Sequence, residues 1–252
     1  MRRREAIGLA SGALVVTLGW SAIQPGSEDV EIRYWSSTRA AEYDIRDRIV
    51  EYVTAAFEPV FDDLVVSYGG VVSVRTEHGY HVTRRGEWPR RLLVDALETE
   101  SDRRTADVNL LVTDGPMSEA PTGVAIPHVA SVGGARYLEE VPPRDELQHI
   151  VRYSRGLWVM QVMLHEIGHA FGLEHEHGKI MSKQDGTAVT PMVSSYAWMS
   201  DPEAFDAGES HCGFVYPTAR GGTMYLSFRF SECSLAELRT YRGVLRPRRR
   251  SA

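Results

Sequence analysis

His165-Glu166-Ile167-Gly168-His169-Ala170-Phe171-Gly172-Leu173-Glu174-His175 is the stretch that decides how this 252-residue chain is read. Its form is H-E-x-x-H-x-x-G-x-x-H, and each fixed position has a chemical reason. On a helix, residues four apart lie one above the other, so His165 and His169 can hold one metal ion. Glu166 leans toward the same opening without being a ligand and can act there as a base. Gly172 can adopt positive φ and end the helix, which turns the chain back so that His175 supplies a third nitrogen. Three imidazoles leave a fourth tetrahedral position open, which separates a catalytic zinc site from a closed structural one. His177, two residues beyond His175, is the rival third ligand; the glycine-to-histidine spacing favours His175.

Five fixed positions recur by chance in roughly one chain in 10⁴ to 10⁵. At these residues the chain resembles the metzincin clan of zinc endopeptidases, whose extended motif is matched at every fixed position. The resemblance implies a catalytic Zn2+, a peptide or protein substrate and an α+β fold. That fold has an upper lobe of mixed twisted sheet, two helices and the zinc helix, above a small loop-rich lower lobe with a C-terminal helix. It also implies a methionine turn beneath the metal. Met192, in Thr190-Pro191-Met192-Val193, ranks first; Met181, only six residues beyond His175, ranks second, and Met224 third. Tyr196 could steady an oxyanion as tyrosines do in some clan members.

Working outward, the zinc helix is predicted to start near Arg155. Leu157, Met160, Leu164, Ile167 and Phe171 then form a core-facing stripe at three- and four-residue steps. An earlier helical piece is expected over 144–153. Upstream, a first strand is predicted over 30–35 and a helix over 40–57, capped by Ser37 or Thr38 and ended before Pro59. Leu64 to Tyr68 and Val71 to Val74 read as strands parted by Gly69-Gly70, a hairpin or bulge signal. A second helix is expected over 87–97, a buried strand over 107–113 and another strand over 123–132. This order is the one the resemblance implies for the upper lobe, and 123–132 is the candidate edge along which substrate would lie.

Downstream, the regular pattern fades. Cys212 and Cys233, the only cysteines, read as one disulfide in an exported protein. Ser231-Glu232-Cys233-Ser234 caps a last helix over 235–241, and an F-S-x-C-S segment before a terminal helix resembles the adamalysin branch. Matrixin-type latency through a cysteine thiolate is not expected, since no cysteine precedes Cys212.

The first 27 residues combine Arg2-Arg3-Arg4 with an apolar run from Ile7 to about Ile23, the layout of a twin-arginine-like export signal or a retained anchor. The protease domain is then expected over 28–245, its upper lobe over about 28–172 and lower lobe over about 173–245. A basic tail over 246–252 follows. The protein is expected outside the cell or at its surface, touching membrane only if the leader is retained. Composition is ordinary globular, 43% hydrophobic and 25% charged. The net charge of −6 becomes more acidic once the arginines at both ends are set aside. That balance excludes nucleic acid as the expected partner, because phosphate neutralisation needs a basic face. Only two of the 28 basic residues are lysines, which suggests a GC-rich genome and a high-salt habitat. The expected activity is that of a secreted zinc endopeptidase with Glu166 as general base. The alternatives are a narrow-specificity peptidase with a blocked cleft and a surface binding module with a non-catalytic zinc.

Overall fold

The structure is a computed structural model, and it describes residues 30–98, 106–118, 122–193, 204–205, 212–213, 219–220 and 222–243. The expected leader, the basic tail and Tyr196 lie outside these residues. The first strand, β1 (Val30–Ser37), leads into α1 (Arg46–Phe57), β2 (Leu64–Val72), α2 (Gly79–Arg84) and α3 (Glu87–Glu98). Then come β3 (Val108–Val112), the hairpin β4 (Gly123–Ile126) and β5 (Val129–Val132), and the single turn α4 (Ala135–Leu138). Strand β6 (Ile150–Arg152) precedes the long helix α5 (Arg155–Ala170), which is followed by β7 (Ile180–Lys183) and β8 (Gly186–Val189). The short pair β9 (Ala204–Phe205) and β10 (Ala219–Arg220), then β11 (Thr223–Ser227) and α6 (Glu232–Leu238), complete the chain.

Five strands form one sheet in the order β2-β1-β3-β5-β4, all parallel except β4, which pairs antiparallel with β5. Alternation along the strands sorts side chains between its two faces. Ile32, Tyr34, Val108, Leu110 and Val112 join the main core with Ile49, Tyr52 and Val53 of α1 and Val159, Met163 and Ile167 of α5. On the other face Leu111 and Trp35 pack with Val82 and Trp88. The central strand β3 is therefore buried throughout, Asn109 included, as a mostly apolar run predicts for a sheet covered on both sides.

Several elements differ from expectation. The helix expected over 40–57 is a 3-10 turn at Ala40–Glu42 and then α1; Arg39, not Ser37 or Thr38, holds the N-cap position of the turn, while the Ser37 hydroxyl accepts from the Ala40 N–H at 3.0 Å. The break comes at Tyr43, extended at its backbone, and Asp44, whose N–H is taken by Glu139 95 residues away. Gly69-Gly70 makes a bulge, not a hairpin: β2 runs through it, with the register stepping from Tyr34↔Tyr68 to Trp35↔Gly70. A side chain at Gly69 would collide with the Trp35 indole.

The single strand expected over 123–132 is a hairpin, turned at Pro127-His128, where His128 takes a φ of 68°. Its N–H donates to the last carbonyl of α5, that of Ala170, at 3.0 Å, which pins the hairpin to the helix end. The helix expected over 144–153 is a 3-10 turn at Arg144–Glu146 and then β6, drawn into extended form by pairing with β11. The lower part is also richer in strand than expected: β6-β11-β8-β7 make a second, four-stranded mixed sheet. Helices α2 and α4, at six and four residues, are too short to leave a periodic signature.

The two sheets meet at α5. Gln161, buried within that helix, donates to the carbonyls of Val189 at 3.0 Å and Ser227 at 3.3 Å, the ends of β8 and β11. A buried amide satisfied this way fixes where the chain leaves β8. From there it runs through Thr190 and Pro191 beneath the histidines.

Candidate active site

Helix α5 opens on Ser154, whose side chain accepts from the Leu157 N–H. It closes with Gly172 at φ 98°. There the Leu173 N–H bonds back to Gly168 O and the Gly172 N–H to His169 O, each at 2.9 Å. This left-handed closure ends the helix where the glycine was expected to end it. The reversed chain forms a 3-10 turn at His175–His177, which brings His175 over His165 and His169.

Nε2 of His165 lies 3.0 Å from Nε2 of His169 and 3.3 Å from Nε2 of His175. Nitrogens at two corners of a tetrahedral zinc site are about 3.3 Å apart for bonds of 2.0–2.1 Å. The other ring nitrogens of the helical pair are already spoken for. Nδ1 of His165 donates to Pro191 O at 2.7 Å, and Nδ1 of His169 to Leu173 O at 2.6 Å. A carbonyl only accepts, so each Nδ1 carries the hydrogen and each neutral ring presents Nε2 as a bare lone pair. Burial first, then the neighbouring imidazoles, lowers the pKa of His165 well below the usual histidine value. Burial likewise lowers His169 and His175. Bare acceptors this close repel one another unless a cation lies between them. The trio is the one group of three or more His, Cys, Asp or Glu among the described residues that could hold a metal ion, and it fits zinc.

Glu166 is 6% exposed, and burial pushes its carboxyl up to about 8. His177 does not join the trio. Its Nδ1 accepts from the Glu174 N–H at 2.9 Å, and the Glu174 side chain caps the same turn. Of the methionines, Met192 is fully buried, and its sulfur occupies the space where a side chain at Gly168 would stand, 2.6 Å from that Cβ position. Met181 is only part-buried on β7, and Met224 lies on β11 opposite Thr187.

Cys212 and Cys233 are joined in a disulfide with Cα atoms 6.1 Å apart. Next to Cys233, Ser231 and Ser234 both donate to the carbonyl of His177, the bond from Ser234 measuring 2.9 Å. Helix α6 thus grips the turn that carries the third histidine. Sequence patterns cannot flag Pro191 O, Leu173 O or His177 O, since every residue has a carbonyl. Gln161 and Ser234 carried only the weak signal of polar residues in apolar surroundings. Elsewhere, His128 makes the hairpin turn with its ring Nδ1 2.9 Å from Asp107 O, and Arg144 donates to His149 at 2.8 Å. The rings of His78 and His81 lie 4.2 Å apart.

Residues 47–176, just over half of the chain and including the entire histidine motif, match the metallo-peptidase family M12B, reprolysin-like. No curated protein gives a match. Among solved structures the chain is similar to archaemetzincin from Methanopyrus kandleri, at 22% identity and a TM-score of 0.37, covering 61% of this chain and 79% of that one.

Proposed function

Since the chain belongs to the reprolysin-like M12B metallopeptidases and carries the zinc-type histidine trio of a metzincin metalloprotease, we propose that it is an exported endopeptidase in which Glu166 moves the proton. One observation carries this: a buried carboxylate sits in the helix directly beside three converging imidazoles without being one of them. A structural metal site has no use for such a group.

His165, His169 and His175 would hold the zinc, with Pro191 O and Leu173 O fixing the tautomer of the first two. When bound, the ion lowers the pKa of water and polarises a carbonyl as a Lewis acid. With a cation beside it to favour the ionised form over the burial that opposes it, a Glu166 carboxylate oxygen would accept the proton of the attacking water and return it to the departing amine nitrogen. Met192 would be the methionine of the turn beneath the site.

Among the described residues β4 is the outer strand of its sheet. The Gly133 N–H bonds to Thr122 O, and the ladder alternates from there, so Gly123 and Ala125 turn their backbone N–H and C=O to the open side. An extended substrate would add to that side as a further strand. The leader over 1–27 and the disulfide support export, which cell fractionation tests; no described helix is long and apolar enough to cross a membrane.

The experiment is Glu166→Ala. Zinc content should stay at one per chain while hydrolysis of casein and of end-blocked peptides falls by about 10²–10⁴. A variant cleaving at the parental rate would falsify the assigned base, and cleavage confined to free-ended peptides would replace the endopeptidase with a chain-end trimmer.

A further inference from the structure

We propose that Gly123, at the start of β4, is a positioning residue for Glu166: the missing side chain at 123 is the space in which the carboxylate stands. The proposal rests on Glu166 being the proton-transfer group. A Cβ built on Gly123 would lie 2.8 Å from Oε1 and 2.9 Å from Cγ of Glu166, and 3.0 Å from the carbonyl oxygen of Ser131. The two distances to Glu166 are shorter than carbon tolerates, and the one to Ser131 is tight.

Backbone torsion does not explain this glycine, because Gly123 is not among those with positive φ. β propensity does not favour it either, since glycine weakens a strand and marks places where something else comes close. What comes close is the carboxylate. The contact reaches Cγ as well as Oε1, so turning the terminal carboxylate alone would not clear a methyl group; the whole side chain must leave its place.

The strand cannot yield instead. Gly123 lies opposite Val132, the residue before it is held by the Gly133 N–H bond to Thr122 O, and the far end of the hairpin is tied to α5 through the His128 N–H and Ala170 O. The helix cannot yield without moving His165 and His169. The outer strand of the sheet therefore has two duties at one residue: its backbone faces the open side, and its bare α-carbon walls the base into position.

The test is a cycle of the full-length zinc protein, Gly123→Ala, Glu166→Ala and the double variant. Zinc affinity is read by chelator competition, kcat and KM on an end-blocked peptide, and thermal midpoint. Gly123→Ala is expected to keep zinc affinity and KM within about threefold while kcat falls at least ~10²-fold, the share a general base supplies. It should also lower the thermal midpoint. In the Glu166→Ala background the same substitution should leave residual kcat unchanged and lower the midpoint by much less, because only the 3.0 Å approach to the Ser131 carbonyl then remains.

A parental kcat in Gly123→Ala overturns the proposal. So do equal penalties in both backgrounds, which would assign Gly123 to the strand or the substrate instead. If Gly123→Ala does not fold, recovery of folding in the double variant supports the proposal and its failure overturns it. If the parent cleaves no peptide, the peptidase assignment fails by itself. The thermal cycle then decides the contact: a penalty largely confined to the Glu166 background supports it, and an additive one overturns it.

Discussion

The carbonyl oxygen of Pro191 accepts from Nδ1 of His165 at 2.7 Å, and the next residue, Met192, fills the space beside Gly168, the residue directly before His169. One tight passage of chain thus orients the first ligand through its backbone and supports the helix through its side chain. It reaches that place because β8 ends against Gln161 of the same helix.

Met192 should therefore be costly to shorten. Met192→Ala is expected to lose about 2–5 kcal/mol by opening a cavity, and Met192→Leu less than about 1.5 kcal/mol. Met181→Ala, on a part-buried strand, should cost about 1 kcal/mol or less. Urea midpoints at constant m give the comparison, and a larger loss at Met181 would reverse the assignment of the turn.

Gly168→Ala tests the other side of the same contact. Inside a helix this change ordinarily stabilises by about 0.5–1 kcal/mol. Here the new methyl group would stand 2.6 Å from the Met192 sulfur, so destabilisation by about 1–3 kcal/mol is expected. Combining it with Met192→Ala should recover part of that loss. A stabilised single variant would show that the sulfur has room to move.

Removal of the metal should register in stability as well as activity. A ligand at 100 times its Kd stabilises by about 2.7 kcal/mol, and a domain of this size shifts its Tm by about 2–4 °C per kcal/mol. Chelation should lower the midpoint by roughly 5–11 °C and abolish hydrolysis, and zinc should restore both. Calorimetry unmoved by a chelator would mean that the trio holds no ion.

The third histidine depends on the C-terminal helix. Ser231 and Ser234 both donate to His177 O, two residues beyond His175. Replacing both by alanine should raise the apparent zinc Kd by about 10–100-fold, the usual scale for groups that orient ligands. Reduction of Cys212–Cys233 should act in the same direction by loosening α6. Fluorescent-chelator titrations would measure both, and unchanged affinity would leave α6 without a part in holding His175.

Away from the site, Asp114 offers a test of acid stability. Burial alone would raise its carboxyl pKa, but bonds from the Arg136 side chain and backbone and from Tyr43 outweigh burial and hold it below the ordinary value. A depressed folded pKa contributes stability above the unfolded value of about 3.9, lost as pH falls through the folded one. Asp114→Asn should therefore be weaker than the parent at pH 7, with the two stability curves converging below about pH 4. Curves that stay parallel would remove Asp114 from the acid transition.

Sequence by itself determined the metal trio, the helix bearing two of its members, the glycine that ends that helix and the buried central strand. Each of these is a local pattern: histidines four apart share a helix face, Gly172 tolerates the left-handed turn, and 107–113 carries Val108, Leu110, Leu111 and Val112. Tertiary structure alone set the Met192 sulfur against Gly168, made 150–152 a strand and turned 123–132 into a hairpin. Those outcomes depend on partners far along the chain, as with β6 on β11, or on backbone carbonyls such as Pro191 O. Neither leaves a mark in residue order, because any residue can supply a carbonyl and only the returning chain determines which one arrives.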